Sequence, residues 1–370
     1  MTETKPRILI LFGGQSSEHS VSCVTAAGVL KAIDRQRFDV VPVGITRSGD
    51  WTLIEADAQD WTLTGGKLPE ISSVTTPVQL VRENDAVVLR TLADSKVENL
   101  HTIDAVFPLL HGPFGEDGTI QGFFELNGVP YVGSGIAASA IGMDKHFMKI
   151  IFESAGFAVG PYEVITAKQW AQNSDECLQR CAALQFPLFV KPARAGSSVG
   201  ISKVDSAEGL RAAIEIARAE DPKVIVEQGI TGREIECGVL GGRGTQPSRA
   251  SYPGEIAMTD SEHSFYDFEA KYVDGAAAHV SCPAELSETA IDEVRELAVR
   301  AFDAIDGEGL SRVDFFFTPQ GQWIINEINT MPGFTPSSMY PQMWAKTGVP
   351  YPELIQELIE LSLERKTGLR

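Results

Sequence analysis

The chain has 370 residues, of which 43% are hydrophobic and 22% charged, and its formal net charge is −19. This length implies two or three domains, the composition implies a buried core and excludes wholesale disorder, and the acidic balance excludes a nucleic-acid partner, which needs a basic surface. The five cysteines, Cys23, Cys177, Cys181, Cys237 and Cys282, are odd in number and contain no C-x-x-C, which argues against a disulfide framework or a zinc ribbon.

The N-terminus, Met-Thr-Glu-Thr-Lys, does not read as a signal peptide, and no apolar run approaches the roughly 18–20 residues of a membrane span. A reduced, soluble, cytoplasmic protein with no membrane partner is expected. In chain order, Arg7 to Phe12 is a continuous apolar run that suits a buried parallel strand. Gly13 to Ser17 reads as a loop, Ser20 to Ile33 as a helix, and Val40 to Ile45 and Ile103 to Pro108 as further strands. Residues 55–100 read as polar and irregular. This pattern predicts an open α/β unit with its functional loops at the strand C-termini.

A second unit begins near Ser134. Ala137 to Ala155 reads as one helix containing Lys145, Cys177 and Cys181 sit four apart in a helical stretch, and Pro187–Pro192, Gly200–Val204 and Lys223–Gln228 read as strands. A small antiparallel α+β domain is expected. From Gly232 on, short strands lead to a helix at Ser287–Ile305, a hairpin at Ser311–Asn329 and a closing helix at Pro352–Glu364. The domain limits are 1–133, 134–231 and 232–370.

The hairpin carries the sharpest chemical signal. With Thr318 and Gly321 flanking a turn, paired residues sum to 639, so Arg312 faces Glu327 and Asp314 faces Ile325. Period-2 alternation then puts Arg312, Asp314, Glu327 and Asn329 on one face. Two carboxylates and an amide oxygen suit magnesium, which takes hard oxygen ligands and completes its shell with phosphates, or else form a polar outer face with a surface ion pair.

Lys191, at an apolar strand end, needs a counter-charge or a phosphate. The loop Gly196-Ser-Ser-Val-Gly200 could offer N–H groups and hydroxyls to phosphate oxygens, or be only a hairpin turn; it lacks G-K-[ST] and is not a P-loop. Glu227 and Glu234 suit an adenine amino group and ribose hydroxyls, or are surface acids. Glu18, in the loop Gly13–His19, fits an ammonium ligand or merely complements a helix dipole. His111–Gly118 is a Gly-rich loop, and Tyr266–Tyr272 a lid or an ordinary surface loop. Gly13-Gly14 lacks the full dinucleotide fingerprint, and neither a serine-hydrolase elbow nor H-E-x-x-H is present.

The segments GGQSSEHSVS, HGPFGEDG, MDK, KPARAGSSVGISKV, FYDFEAKY, SRVDFFF and NEINTMPGFTPSS, in this order, resemble the D-alanine–D-alanine ligase family of the ATP-grasp superfamily. The resemblance runs from about Ile8 to the last helix. It implies a three-domain ATP-grasp fold, α/β and α+β, with an N-terminal Rossmann-like (pre-ATP-grasp) domain. It implies ATP and two Mg2+ (or Mn2+) as cofactors, D-alanine and ATP as partners, and a homodimer. By matching motifs, Lys145 and Lys191 meet the ATP phosphates, Ser198 and Val199 lie in the covering loop, and Glu227 and Glu234 hold adenosine. Asp314, Glu327 and Asn329 bind the metals.

By the same resemblance, Glu18 holds the first D-alanine's ammonium and His111 lies near its carboxylate. Glu18, Ser197 and Tyr272 form a hydrogen-bonded triad in a lid that includes Tyr266. Arg312 and the Gly333 N–H stabilise the oxyanion, Lys271 assists the transferred phosphate, and Ser338 binds the second D-alanine's carboxylate. The implied reaction phosphorylates one carboxylate to an acylphosphate, which the second amine attacks, yielding a peptidoglycan precursor. Pro113-Phe114, Met331 and Ile328 depart from the commonest family patterns without removing a polar group. A D-alanine–D-lactate ligase is the nearest alternative, and the intact Lys271-Tyr272 favours the dipeptide. A non-catalytic nucleotide-binding module is expected to lose a metal ligand or Arg312, and neither is lost.

Overall fold

The computed structural model describes residues 5–54, 61, 69–91, 97–258 and 278–368. Strand β1 (Arg7–Gly13) is followed by helix α1 (His19–Ala32), β2 (Asp39–Ile45) and β3 (Trp51–Leu53). Then come β4 (Val78–Glu83), β5 (Ala86–Thr91), β6 (Glu98–Thr102), β7 (Ala105–Pro108) and α2 (Thr119–Asn127). The first sheet runs β3-β2-β1-β7, with β1 parallel to both β2 and β7. Along β1, Ile8, Ile10 and Phe12 enter one core and Leu9 and Leu11 another, so both faces are covered, as the unbroken apolar run requires.

Residues 78–102 are more ordered than their polarity suggests. β4, β5 and β6 form an antiparallel sheet. Its first hairpin turns on Asn84 and Asp85 at φ 47° and 65°, the left-handed pair that a two-residue β-turn needs and that Asn and Asp tolerate.

Helices α3 (Ile136–Met143) and α4 (Lys145–Ser154) occupy the span expected to be one helix. The break is Asp144, whose carboxylate accepts the N–H groups of His146 and Phe147 and so caps α4. β8 (Tyr162–Ile165), α5 (Ala167–Gln172), α6 (Ser174–Ala182), β9 (Leu188–Pro192), β10 (Ser202–Val204), α7 (Leu210–Glu220) and β11 (Val224–Gln228) follow. Their sheet, β10-β9-β11-β8, is antiparallel throughout. Cys177 and Cys181 of α6 are buried in its core as free thiols.

The last sheet runs β15-β14-β12-β16-β17, from β12 (Arg233–Leu240), β13 (Arg249–Ala250, paired with β12), β14 (Gly254–Met258), β15 (Ala278–Ser281), β16 (Leu310–Phe317) and β17 (Trp323–Asn329). Helix α8 (Glu288–Ala304) buries Val294, Ala298 and Phe302 against it. α9 (Met339–Thr347) and α10 (Tyr351–Glu364) end the chain, and Leu354, Ile355 and Leu358 of α10 share a core with Ile8 and Ile10 of β1. The C-terminal helix thus seals the first sheet. Among the described residues no helix is long and apolar enough to cross a membrane.

The hairpin register differs from the expected sum of 639. Thr318 donates to and pairs with Gln322, leaving Pro319, Gln320 and Gly321 in the loop, and Gly321 sits at φ 76° in the left-handed position of a three-residue turn. That extra loop residue moves the outer pairs, such as Phe315 with Ile325, to 640. A β-bulge then passes over Asn326, and the inner pairs become Asp314 with Glu327 and Arg312 with Asn329. Two one-residue shifts restore the parity. Arg312, Asp314, Glu327 and Asn329 therefore share a face as expected, but Arg312 is opposite Asn329 rather than Glu327. Ile325 is opposite Phe315, in the core, rather than Asp314.

Candidate active site

A cavity of about 720 Å³ lies between the sheets β10-β9-β11-β8 and β15-β14-β12-β16-β17 and reaches the loops after β1 and β7 of the first sheet. Its floor is one face of β12 and β16–β17. Glu236, Asp314 and Glu327 stand in a row across three neighbouring strands, because β12 pairs Glu236 with Asp314 and β16 pairs Asp314 with Glu327. Arg312 lies one pair further along the same face, with Gly238 on one side and Asn329 on the other.

The Arg312 guanidinium forks onto Asp314 at 2.7 and 2.6 Å, and its Nε is 3.2 Å from Glu236. Burial opposes its charge, but Asp314, Glu236 and Glu327 outweigh burial and hold it firmly protonated. Asn329 donates to Asp314 at 3.1 Å. Two carboxylates and an amide oxygen are a sparse, hard-oxygen donor set. Such a set fits a divalent ion that takes the rest of its shell from phosphate.

Three lysines line the opposite wall. Lys145, the first residue of α4, donates to Ala195 O at 3.0 Å and lies 3.8 Å from Glu327. Lys191 projects from β9 and Lys149 from α4 onto the same carboxylate, Glu227, at 2.5 and 2.6 Å. Burial alone would push Glu227 up, but the two lysines outweigh it and hold the carboxyl well below its ordinary range. Lys191 is raised in turn, because Glu227 and Glu327 outweigh its burial.

Phe189 and Ile230 line the cavity together with Ile256 and Phe316, which flank exposed Glu234 across β14, β12 and β16, and with buried Glu227, so an apolar slot carries two carboxylates. Such a slot suits a planar heterocycle whose exocyclic amine meets a carboxylate.

The loop 193–201 covers the lysines. Ser197 and Ser198 adopt φ 47° and 59°, and Val199 N–H closes the turn onto Gly196 O at 3.2 Å. Two consecutive left-handed serines cost about 1–2 kcal/mol each, so tertiary contacts must hold the loop. Arg194 anchors its start through a bidentate pair with buried Asp221. Ser197 and Ser198 line the cavity, whereas Val199 is not among the lining residues.

Ser197 donates to the carboxylate of Glu18, which stands at the start of α1 and is buried without capping that helix. Ser16 fixes Glu18 by accepting its N–H at 3.2 Å while donating to His111 O at 2.7 Å. His111 is 4% exposed, and its ring nitrogens approach Thr25 Oγ1 (3.3 Å) and Glu116 (3.7 Å). Burial opposes its protonation, but Glu116 and Glu18 outweigh it and raise the pKa above 6.5. A carboxylate and an imidazole whose protonated form is favoured, lining one cavity, match the two ends of an amino acid.

Gly333 and Ser338 line the same cavity, and Ser338 begins α9 with its hydroxyl 2.7 Å from Thr335 Oγ1. A helix N-terminus opening on a cavity favours an anion.

The structure thus gathers Glu18, His111, Lys145, Lys191, Ser197, Ser198, Glu227, Glu234, Arg312, Asp314, Glu327, Asn329, Gly333 and Ser338 around one cavity. Tyr266, Lys271 and Tyr272 lie outside the described residues. Sequence reading assigned no role to Glu116, Lys149 or Glu236. Lys149 follows Lys145 by one helical turn and Glu236 follows Glu234 on the same strand face, so periodicity alone pointed both inward.

A family model described as D-ala D-ala ligase N-terminus matches residues 7–134, and one described as D-ala D-ala ligase C-terminus matches residues 151–360. A D-alanine–D-alanine ligase of Arthrobacter sp. (strain FB24) is 60% identical over 367 residues, covering 99% of this chain and 96% of the relative. That of Paenarthrobacter aurescens (strain TC1) is 58% identical, covering 99% and 97%. Among solved structures, the D-alanine-D-alanine ligase from Coxiella burnetii superimposes with a TM-score of 0.78 at 32% identity, covering 98% of this chain and 94% of that one. The VanG D-Ala:D-Ser ligase from Enterococcus faecalis gives 0.80 at 34%, covering 97% and 100%. The chain belongs to the D-alanine–D-alanine ligase family and has the ATP-grasp fold.

Proposed function

We propose that this member of the D-alanine–D-alanine ligase family joins two D-alanines, with cleavage of ATP, to D-alanyl-D-alanine for peptidoglycan synthesis. The observation that carries the reading is the convergence of an ammonium-and-carboxylate pair, Glu18 with His111, and the acidic Arg312-bearing hairpin on one cavity. Identity of up to 60% with proteins of that name supports it. Mass spectrometry of products formed from D-alanine, D-lactate and D-serine tests it, with the dipeptide as the expected main product. Phosphate release that proceeds equally with L-alanine overturns it.

A carboxylate is a poor electrophile, so its activation needs a leaving group. In the first step a carboxylate oxygen of one D-alanine attacks the γ-phosphorus, the bond to the β–γ bridging oxygen breaks, and ADP departs. In the second step the amine of the other D-alanine attacks the acylphosphate carbon, the carbon–oxygen bond to phosphate breaks, and a proton leaves the nitrogen. Glu18 holds the first ammonium and His111 the first carboxylate. Lys145 and Lys191 meet the phosphates, under the loop that carries Ser197, Ser198 and Val199. Arg312 and the Gly333 N–H face the tetrahedral oxyanion, and Ser338 and the start of α9 take the second carboxylate.

Glu227 and Glu234 bracket the adenosine. Asp314, Glu327 and Asn329 are the residues that would hold two magnesium or manganese ions. When bound, those ions neutralise the triphosphate. Lys271 at the transferred phosphate, and Tyr266 and Tyr272 in a lid, rest on the family resemblance alone, as do a homodimer, a cytoplasmic setting and the division of labour among 1–133, 134–231 and 232–370. Tyr272→Phe tests the lid: admission of D-lactate is expected, and an unchanged product profile removes the role.

A further inference from the structure

Lys149 has no part in the reaction set out above, yet it is 3% exposed, and its Nζ lies 2.6 Å from Glu227 and 5.8 Å from the Tyr162 ring centroid. A buried ammonium is costly unless it is paired, and the pair it makes is unequal. Lys191 reaches the second oxygen of Glu227 at 2.5 Å, but it also feels Glu327 and Glu234. Two lysines therefore share one carboxylate, and Lys191 stands on β9, which leads directly into the phosphate-covering loop. α4, which carries Lys149, is pinned at its start. Asp144 caps it and pairs with Lys223 at 2.8 Å, and Lys145 N–H donates to Ala193 O at 3.0 Å. Lys149 is thus held against Glu227 and the Tyr162 ring, whereas Lys191 also has Glu327 and Glu234 to answer to.

This asymmetry matters once a nucleotide enters. Lys191 cannot serve a triphosphate and keep its contact with Glu227 undisturbed. Glu227 is then left with the exocyclic amine of the base, a neutral donor, which compensates a buried carboxylate poorly. We propose that Lys149 is a positioning residue that holds the Glu227 carboxylate as the acceptor for a 6-amino purine and, by occupying one of its oxygens, releases Lys191 to the phosphates. The proposal rests on the reading that Glu227 meets the base and Lys191 the phosphates. Without Lys149, Glu227 would hold Lys191 more tightly, so both base selection and phosphate binding would suffer.

The test compares ATP with ITP, which carries an oxygen in place of the amine, in the full-length enzyme. Lys149→Met is expected to raise the KM for ATP about tenfold and to shrink the ATP-over-ITP preference in kcat/KM by a similar factor, since an unpaired buried acceptor is what enforces such selection. The KM for D-alanine should stay within about twofold and Lys149→Arg should recover part of the loss, neither of which follows from a general loss of structure. An unchanged ATP KM and ATP/ITP ratio in Lys149→Met overturns the proposal.

The charge-matched double variant Lys149→Met/Glu227→Gln keeps the test available if the single variant does not fold. Adding Lys149→Met to Glu227→Gln should change neither quantity by more than about twofold, because its effect runs through Glu227. A full additional tenfold loss there overturns the proposal. Glu227→Gln alone separates the two claims. If it keeps the wild-type ATP/ITP preference, the placement of the base at Glu227 falls first and the role of Lys149 falls with it.

Discussion

The Ser197 hydroxyl donates to the Glu18 carboxylate, joining residues 179 apart in the chain. The contact fastens the loop after β9 to the loop before α1, and so couples the phosphate side of the cavity to the amino-acid side. Two backbone segments crowd it. A Cβ at Gly112 or at Gly196 would come within 2.6 Å of Glu18 Oε2, so a larger residue at either position would displace that carboxylate.

Removing either partner should therefore be felt at both ends. Glu18→Gln is expected to raise the KM for the first D-alanine by about 10–100-fold through the lost ammonium pair. Ser197→Ala should raise it less and should also raise the KM for ATP, because the loop loses its tether. A double-mutant cycle on kcat/KM should show strong non-additivity between the two changes. Strictly additive effects would mean that the bond does not couple the sites.

Glu327→Gln preserves shape and removes one charge from the acidic row. Turnover should fall by about 100-fold or more, while far-UV circular dichroism stays the same and Mn2+ binding followed by electron paramagnetic resonance weakens. Near-normal activity with unchanged Mn2+ binding would withdraw Glu327 from the metal set.

Much of this site was legible because β-strands alternate. The acidic residues of the hairpin fell on one face whichever odd sum described the pairing. What could not be read was the partner of each residue. That depended on Gly321 adding one residue to the loop and Asn326 adding one to β17, and both shifts are set by local backbone geometry rather than by polarity. A faint signal existed. Ile325 and Ile328, three apart, are both core residues, which regular period-2 alternation forbids and a bulge allows. The sheet of β4–β6 was missed for the opposite reason, since it is polar on its exposed face and its turn is the inconspicuous pair Asn84-Asp85. The break at Asp144 was missed because apolar spacing continues across it, while the cap is a matter of one carboxylate.

His111 gives a pH signature. Its pKa is raised in the folded chain because Glu116 and Glu18 outweigh its burial. It therefore stays cationic above its ordinary 6.5 and loses the proton as the pH climbs through the raised value. The KM for D-alanine should be low on the acid side of that value and rise above it, and His111→Gln should flatten this dependence. Stability follows the same sign, with the contribution of His111 fully present below about pH 6.5 and lost as the pH rises through its folded pKa. Melting temperatures of wild type and His111→Gln, compared from below pH 6.5 upward, should converge on the alkaline side.

The bulge at Asn326 separates pairing from aim. Deleting Asn326 leaves Phe315 opposite Ile325 and Asp314 opposite Glu327, so the alternation survives and the core keeps Ile325 and Ile328. What disappears is the local bend and extra twist that a bulge adds to its strand. The deletion variant should thus fold with a cooperative melt, yet lose about 100-fold in kcat because Glu327 and Asn329 no longer point as they do beside Arg312. Asn326→Ala, which keeps the residue count, should retain activity within about threefold if the backbone rather than the amide matters. Equal losses in the two variants would assign the effect to the Asn326 side chain, which also lines the cavity, and would leave the bulge without a functional part.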